Sequence, residues 1–153
     1  MGSSLVNLTD KLKGINRLGI DSVIIIYLIE KNPKYLEQTI FLAEQITQGE
    51  ITAISSSLLL TEVLVKPLRD KDSDLVSSYQ KILQNSQNFY LVNLTPTIAY
   101  QTAELRANYN IKPPDAVHIA TAIESGCQAF LTNDRGIARV KEIEILILDD
   151  LLD

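Results

Sequence analysis

Short β-rich runs alternate along this chain with longer segments of helical periodicity, and that alternation narrows the fold more than any other feature. The pattern predicts strands over Leu18–Asp21, Ile51–Ser55, Phe89–Asn93, Ala129–Thr132 and Ile143–Leu148. It predicts helices over Pro33–Gln48, Ser57–Leu68, Ser73–Asn85, Thr95–Tyr109, Pro114–Ser125 and Asp134–Val140. Pro96 and Pro114 stand near helix starts, where a missing N–H costs little. Gly49 and Gly126 follow helical patterns closely, as C-terminal caps do. Strand–helix alternation of this kind implies an α/β fold, with a mostly parallel sheet and helices on both faces. The segment Val23–Ile29 stays open. Its β-branched run reads as a buried strand by propensity, or as a helix buried all round.

Length and composition bound the rest. With 153 residues and no internal repeat, the chain reads as a single domain over 18–153, preceded by an extension over 1–17. In that extension Leu5, Leu8 and Leu12 fall near helical spacing. The longest apolar run, Val23–Ile29, is seven residues, far below the ~20 that cross a bilayer. A lone cysteine, Cys127, excludes an internal disulfide and favours a reducing, cytoplasmic setting. With His118 as the single histidine, a structural zinc site of about four Cys and His ligands is excluded. Any metal must be held mainly by oxygen, which points to Mg²⁺ or Mn²⁺. A net charge of −5 argues against gripping nucleic acid through bulk charge alone.

Most of the 19 acids lie in polar runs and read as solvated surface. Asp21, Glu62, Asp115 and Asp134 have different surroundings. Asp21 ends a predicted strand and precedes Val23-Ile24-Ile25-Ile26, and Glu62 sits within Leu58-Leu59-Leu60-Thr61-Glu62-Val63-Leu64-Val65. Asp115 opens an apolar helix after Pro113-Pro114, and Asp134 follows Ala129-Phe130-Leu131-Thr132. Taken singly, Asp21 and Asp134 could be helix caps and Asp115 a first-turn acid. Together they collect at the carboxyl edge of a parallel sheet, where ligands bind. Glu62 follows Ser55 by about two helical turns and could lean over that edge. Converging carboxylates repel unless a divalent ion lies between them. Such an ion generates a hydroxide nucleophile and stabilises a phosphodiester's leaving oxygen, chemistry that needs neither histidine nor cysteine.

At these residues the sequence resembles the PIN-domain ribonucleases, most nearly the VapC-type toxins of bacteria. Gly19-Ile20-Asp21-Ser22-Val23-Ile24-Ile25-Ile26-Tyr27 looks like the family's opening strand and first helix, and Thr61-Glu62-Val63-Leu64 like its central glutamate. Pro114-Asp115-Ala116-Val117-His118-Ile119-Ala120-Thr121-Ala122 is similar to its most recognisable helix, and Leu131-Thr132-Asn133-Asp134 to its last acidic loop. The resemblance implies a three-layer α/β/α sandwich and Mg²⁺- or Mn²⁺-dependent endoribonuclease activity. Asp21, Glu62, Asp115 and Asp134 would be the catalytic, metal-binding acids, and the chain from Ser22 would begin a helix. It further implies a homodimer held inactive by a cognate antitoxin. Val23 and Gly136 depart from the family's pattern, which often has a small polar residue and an acid at these places.

Other residues carry weaker signals. His118 shares a helical face with Asp115 and reads as a core histidine or one that backs the carboxylates. The hydroxyls of Ser22 and Thr132 are candidates to orient a metal-bound water, and Cys127 reads as a small buried residue. Arg135 and Arg139, four apart on the expected last helix, would share a face and contact RNA phosphates. Lys66 and Arg106 are further RNA-binding candidates, and Lys112 approaches the same edge. Gly14-Ile15-Asn16-Arg17-Leu18-Gly19 has the glycine spacing of a phosphate loop but is followed by Ile20-Asp21, not Lys-Ser/Thr. A receiver-like phosphoacceptor domain would want a lysine after the last strand, where Asp149-Asp150 stand instead. A catalytically inactive PIN-like interaction module is the remaining alternative.

Overall fold

The computed structural model describes residues 5–153. The chain begins with α1 (Val6–Leu12), β1 (Arg17–Ile20), α2 (Ser22–Ile29) and α3 (Leu36–Thr47). It continues through β2 (Thr52–Ser56), α4 (Leu58–Arg69), α5 (Ser73–Asn85) and β3 (Phe89–Val92). The last part holds α6 (Pro96–Tyr109), α7 (Pro113–Glu124), β4 (Ala129–Thr132) and β5 (Glu144–Ile147). Two 3₁₀ turns, Arg135–Ile137 and Leu148–Leu151, flank β5. Gly49 and Gly126 take positive φ, +81° and +74°, beyond the ends of α3 and α7, as the capping pattern predicts.

The five strands lie in the order β3-β2-β1-β4-β5, and every pairing is parallel. Side chains alternate across the sheet. Leu18, Ile20, Ala129 and Leu131 join one core with α1 to α5, while Phe130 joins a second core with α6 and α7. Helices therefore cover both faces, and the three-layer architecture holds. The order reverses direction at β1, which pairs with β2 on one side and β4 on the other. That reversal opens a crevice at the carboxyl ends of β1 and β4. Gly19 lets α7 approach the sheet there: a Cβ at this position would lie 2.6 Å from Ala122 Cβ and 2.8 Å from Phe130 Cδ1.

Val23–Ile29 is helical, as the resemblance implies. Asp21 keeps an extended backbone (φ −75°, ψ 156°) and its side chain accepts the Ser22 N–H, so the chain turns into α2 at once. Ile24 and Ile25 are buried, and Val23, Ile26, Tyr27 and Ile29 pack against the same core. Burial of Ile24 and Ile25, with partial burial of Val23, Ile26, Tyr27 and Ile29, overrides the strand propensity of the β-branched run.

The expected helix over Asp134–Val140 is not formed. Only the 3₁₀ turn Arg135–Ile137 is present, with Asp134 accepting the Gly136 N–H. Glycine is a poor helix former, and the guanidinium of Arg139 takes the carbonyls of Gly136 and Tyr109. Arg135 and Arg139 consequently do not share a helical face. At the other end of the chain, Leu8 and Leu12 of α1 lie in the main core, and the Asp153 carboxylate accepts the Val6 and Asn7 N–H groups. Met1, Gly2, Ser3 and Ser4 of the predicted extension lie outside the described residues.

Candidate active site

The acids singled out in the sequence stand directly after β1 (Asp21), after β4 (Asp134), in the first turn of α7 (Asp115) and on α4 (Glu62). Asp21 stands directly after β1, where its N–H donates to Leu131 O at 2.9 Å and extends the β1–β4 ladder by one bond. Its side chain is buried at 7% exposure, and its oxygens accept the Ser22 N–H (2.8 Å) and the Thr132 hydroxyl (2.7 Å). The Thr132 oxygen in turn accepts the Asp134 N–H at 3.1 Å. One hydroxyl thus links the acid after β1 to the acid after β4. Ser22 contributes through its main-chain N–H.

Asp115 lies in the first turn of α7, half-buried, where the helix's positive end favours a carboxylate. Burial nonetheless pushes its carboxyl above the ordinary range. The charges of Asp21 and Asp134 push it further the same way, joined by Glu62 and opposed by His118. Those repulsions place all four acids in one electrostatic field. Glu62 reaches in from α4, with 31% of its side chain accessible, and its Oε1 lies 2.5 Å from His118 Nε2. Glu62 and Asp134 are exposed residues, not the buried ones their apolar sequence neighbours suggested. His118 itself is 2% exposed. Burial pulls its pKa down, but the hydrogen bond and charge of Glu62, with Asp21 and Asp115, outweigh that and raise it.

The donor set is all oxygen, and a cation would relieve the mutual repulsion at Asp115, so the chemistry of these residues fits a hard divalent ion. Among the described residues no three acid, histidine or cysteine side chains are drawn into a preassembled ligand cluster. Beside the acids, Asn110, Lys112, Asp115, Asp134, Gly136 and Arg139 line a groove of about 290 Å³. Of the basic candidates, Arg139 and Lys112 border this groove, while Arg135 makes a two-pronged pair with Asp150 at 2.7 and 3.1 Å. Lys66 pairs with Asp70, and Arg106 Nε donates to Ile111 O. Cys127 is half-buried, and burial pushes its thiol up to about 11.

Asn133 lies within the last acidic loop but has no role assigned from the sequence. Its Nδ2 donates to the Tyr27 hydroxyl and its Oδ1 accepts the Asp149 N–H, so it pins the loop between Thr132 and Asp134 to α2 and to the last turn. An asparagine at a strand end, able to donate and accept at once, was the available signal.

A sequence profile of the PIN domain matches residues 19–143. The chain belongs to the PIN domain family. This PIN domain is also similar in structure to solved toxin–antitoxin assemblies. The VapBC2 structure from Rickettsia felis, bound to a DNA fragment from its promoter, matches at a TM-score of 0.66 and 19% identity, covering 84% of this chain and 96% of that one. A toxin–antitoxin complex from Klebsiella pneumoniae gives 0.60 and 22%, covering 84% and 95%. DNA-bound VapBC from Salmonella typhimurium gives 0.63 and 17%, covering 86% and 96%. No curated protein sequence matches the chain. At these identities the likeness is one of fold, and the fold is PIN-like. Among the described residues no helix of the PIN domain is long and apolar enough to cross a membrane.

Proposed function

We propose that this PIN domain is a Mg²⁺- or Mn²⁺-dependent endoribonuclease. The observation that carries the proposal is the linkage of these acids: Thr132 joins Asp21 to Asp134, the His118 bond ties Glu62 to the helix that carries Asp115, and the charges of Asp21, Asp134 and Glu62 act against ionisation of Asp115. Acids this mutually repulsive gain from a shared cation. Asp21, Glu62, Asp115 and Asp134 would hold it, and when bound it supplies Lewis acidity toward water and the phosphodiester oxygens. Thr132 and the Ser22 N–H hold the Asp21 carboxylate in place, and the Gly136 N–H does the same for Asp134. Lys112 and Arg139, bordering the same groove, would take RNA phosphates beside the cut. The similar solved structures are toxin–antitoxin assemblies, which supports an antitoxin as the protein partner.

The test is cleavage of a labelled RNA with Mg²⁺ or Mn²⁺, with chelator, and by Asp21→Asn and Asp115→Asn. The expected result is cleavage that needs the ion, is abolished in either variant, and leaves 5′-phosphate and 3′-hydroxyl ends. A 2′,3′-cyclic phosphate would mean that the RNA 2′-hydroxyl attacks, and undiminished cleavage by Asp115→Asn would end the assignment.

A further inference from the structure

Resting on that nuclease reading, we propose that His118 is a positioning residue that fixes the Glu62 carboxylate through its Nε2–H. The four acids are anchored unequally. Asp21 and Asp134 accept main-chain N–H groups and sit on short side chains. Asp115 is also short and rides on the first turn of α7. Glu62 has a longer side chain on a partly solvated face of α4, and the hydrogen bond recorded for it among the described residues is the one to His118.

The histidine end of this pair is rigid. His118 is 2% exposed and packed on α7 beside the buried Ala116, Ile119, Ala120 and Ala122. A carboxylate can only accept, so Nε2 carries the proton shared with Glu62 Oε1. The other ring nitrogen, Nδ1, is buried without a hydrogen-bond partner among the described residues. An unsatisfied buried polar atom is costly, and an apolar side chain would fill this place without that cost. The compensation recorded for the imidazole is its bond to Glu62.

Two consequences follow for the site. The bond ties an acid on α4 to the helix that carries Asp115, three residues before His118, so these two carboxylates keep a fixed relation. It also occupies Oε1 and leaves Oε2 of Glu62 as the oxygen offered to a cation. A metal ligand held in this way binds more tightly than one that must be ordered on binding.

The experiment is a Mn²⁺ titration, followed by electron paramagnetic resonance of the free ion, on the full chain and four variants. His118→Met is unbranched and apolar, and His118→Gln is unbranched and keeps an N–H. The others are Glu62→Gln and the double variant His118→Met/Glu62→Gln. His118→Met is expected to weaken Mn²⁺ binding about 10- to 100-fold, the range usual for lost support of a metal ligand. His118→Gln should recover most of that loss, and His118→Met should cost nothing further when Glu62 is already glutamine. On the unaltered protein, the ring Nε2–H proton resonance of His118 should shift on adding Mg²⁺ and move to a different position in Glu62→Gln, a readout that needs no histidine variant to fold. Equal losses from His118→Met with and without Glu62, or a ring proton indifferent to Mg²⁺, would overturn the positioning role alone. A parent protein that binds no Mn²⁺ would overturn the metal reading, and this inference with it.

Discussion

Asp115 carries a stability cost that the proposed ion would remove. Its native carboxyl holds a proton more tightly than it would in the unfolded chain, because of burial and then of Asp21, Asp134 and Glu62. The native state therefore binds more protons there, and stability from this group, present at low pH, is lost as pH rises through the carboxylate range. In chelator at neutral pH, Asp115→Asn is expected to raise Tm by a few degrees, and the gain should shrink as pH falls toward 4. A thermal melt series that shows no gain at pH 7 would refute the repulsion argument. Cys127 gives a second residue-scale test. With its thiol near 11 it is almost wholly protonated at neutral pH, so native alkylation should run about 100-fold slower than in the urea-unfolded chain, as judged by mass spectrometry. At this scale the sequence was legible in part. Strand-end position marked Asp21 and Asp134 and a helix start marked Asp115, whereas apolar neighbours were a poor guide to burial: Glu62 lies in an apolar run yet on an outward part of α4. The Glu62–His118 bond joins residues 56 apart, which no local pattern encodes.

Among the elements, the seat of α7 on the sheet is the most constrained. A Cβ at position 19 would meet Ala122 Cβ and Phe130 Cδ1 below 3.0 Å, so Gly19→Ala must move α7 or twist Phe130. Overpacking of this kind costs typically about 1–3 kcal/mol, and for a domain of this size each kcal/mol lowers Tm by roughly 2–4 °C. Since α7 carries Asp115 and His118, Mn²⁺ affinity should fall along with Tm, and a variant with unchanged Tm would show that α7 has slack. Strand–helix alternation made the sheet and most helices legible, and the helix over Ser73–Asn85 and the strand Ala129–Thr132 have the bounds the pattern predicts. Two segments were not decided by local pattern. Val23–Ile29 depends on the Asp21 cap and on burial by other elements. The stretch after Asp134 depends on Arg139 reaching Tyr109 O at the end of α6, a tertiary contact that competes with helix formation.

For the whole molecule, the question is how a chain of net charge −5 would hold the polyanion that the proposed function requires. Arg135 is already matched by Asp150, and Lys66 by Asp70, so these cations bring little uncompensated charge. Arg139 bonds to neutral carbonyls and keeps its positive charge beside the groove, and Lys112 borders the same groove. Beside this groove few phosphates would then be met by protein cations, and the proposed divalent ion should contribute much of the attraction. Binding of a short single-stranded RNA, measured by fluorescence anisotropy with Ca²⁺ as a larger oxygen-seeking ion, should therefore be strong relative to binding in chelator. Each phosphate neutralised on a single strand adds ~0.7 to the slope of log affinity against log salt. Lys112→Gln should lower that slope by about 0.7, with Ca²⁺ held constant. Arg135→Ala, which breaks only an exposed pair with Asp150, should leave the slope where it is and change Tm little. The opposite ranking, a slope that falls for Arg135→Ala and not for Lys112→Gln, would mean that the Asp150 pair opens on binding and that RNA runs over the face near Leu148–Leu151, away from the groove beside Asp115 and Asp134.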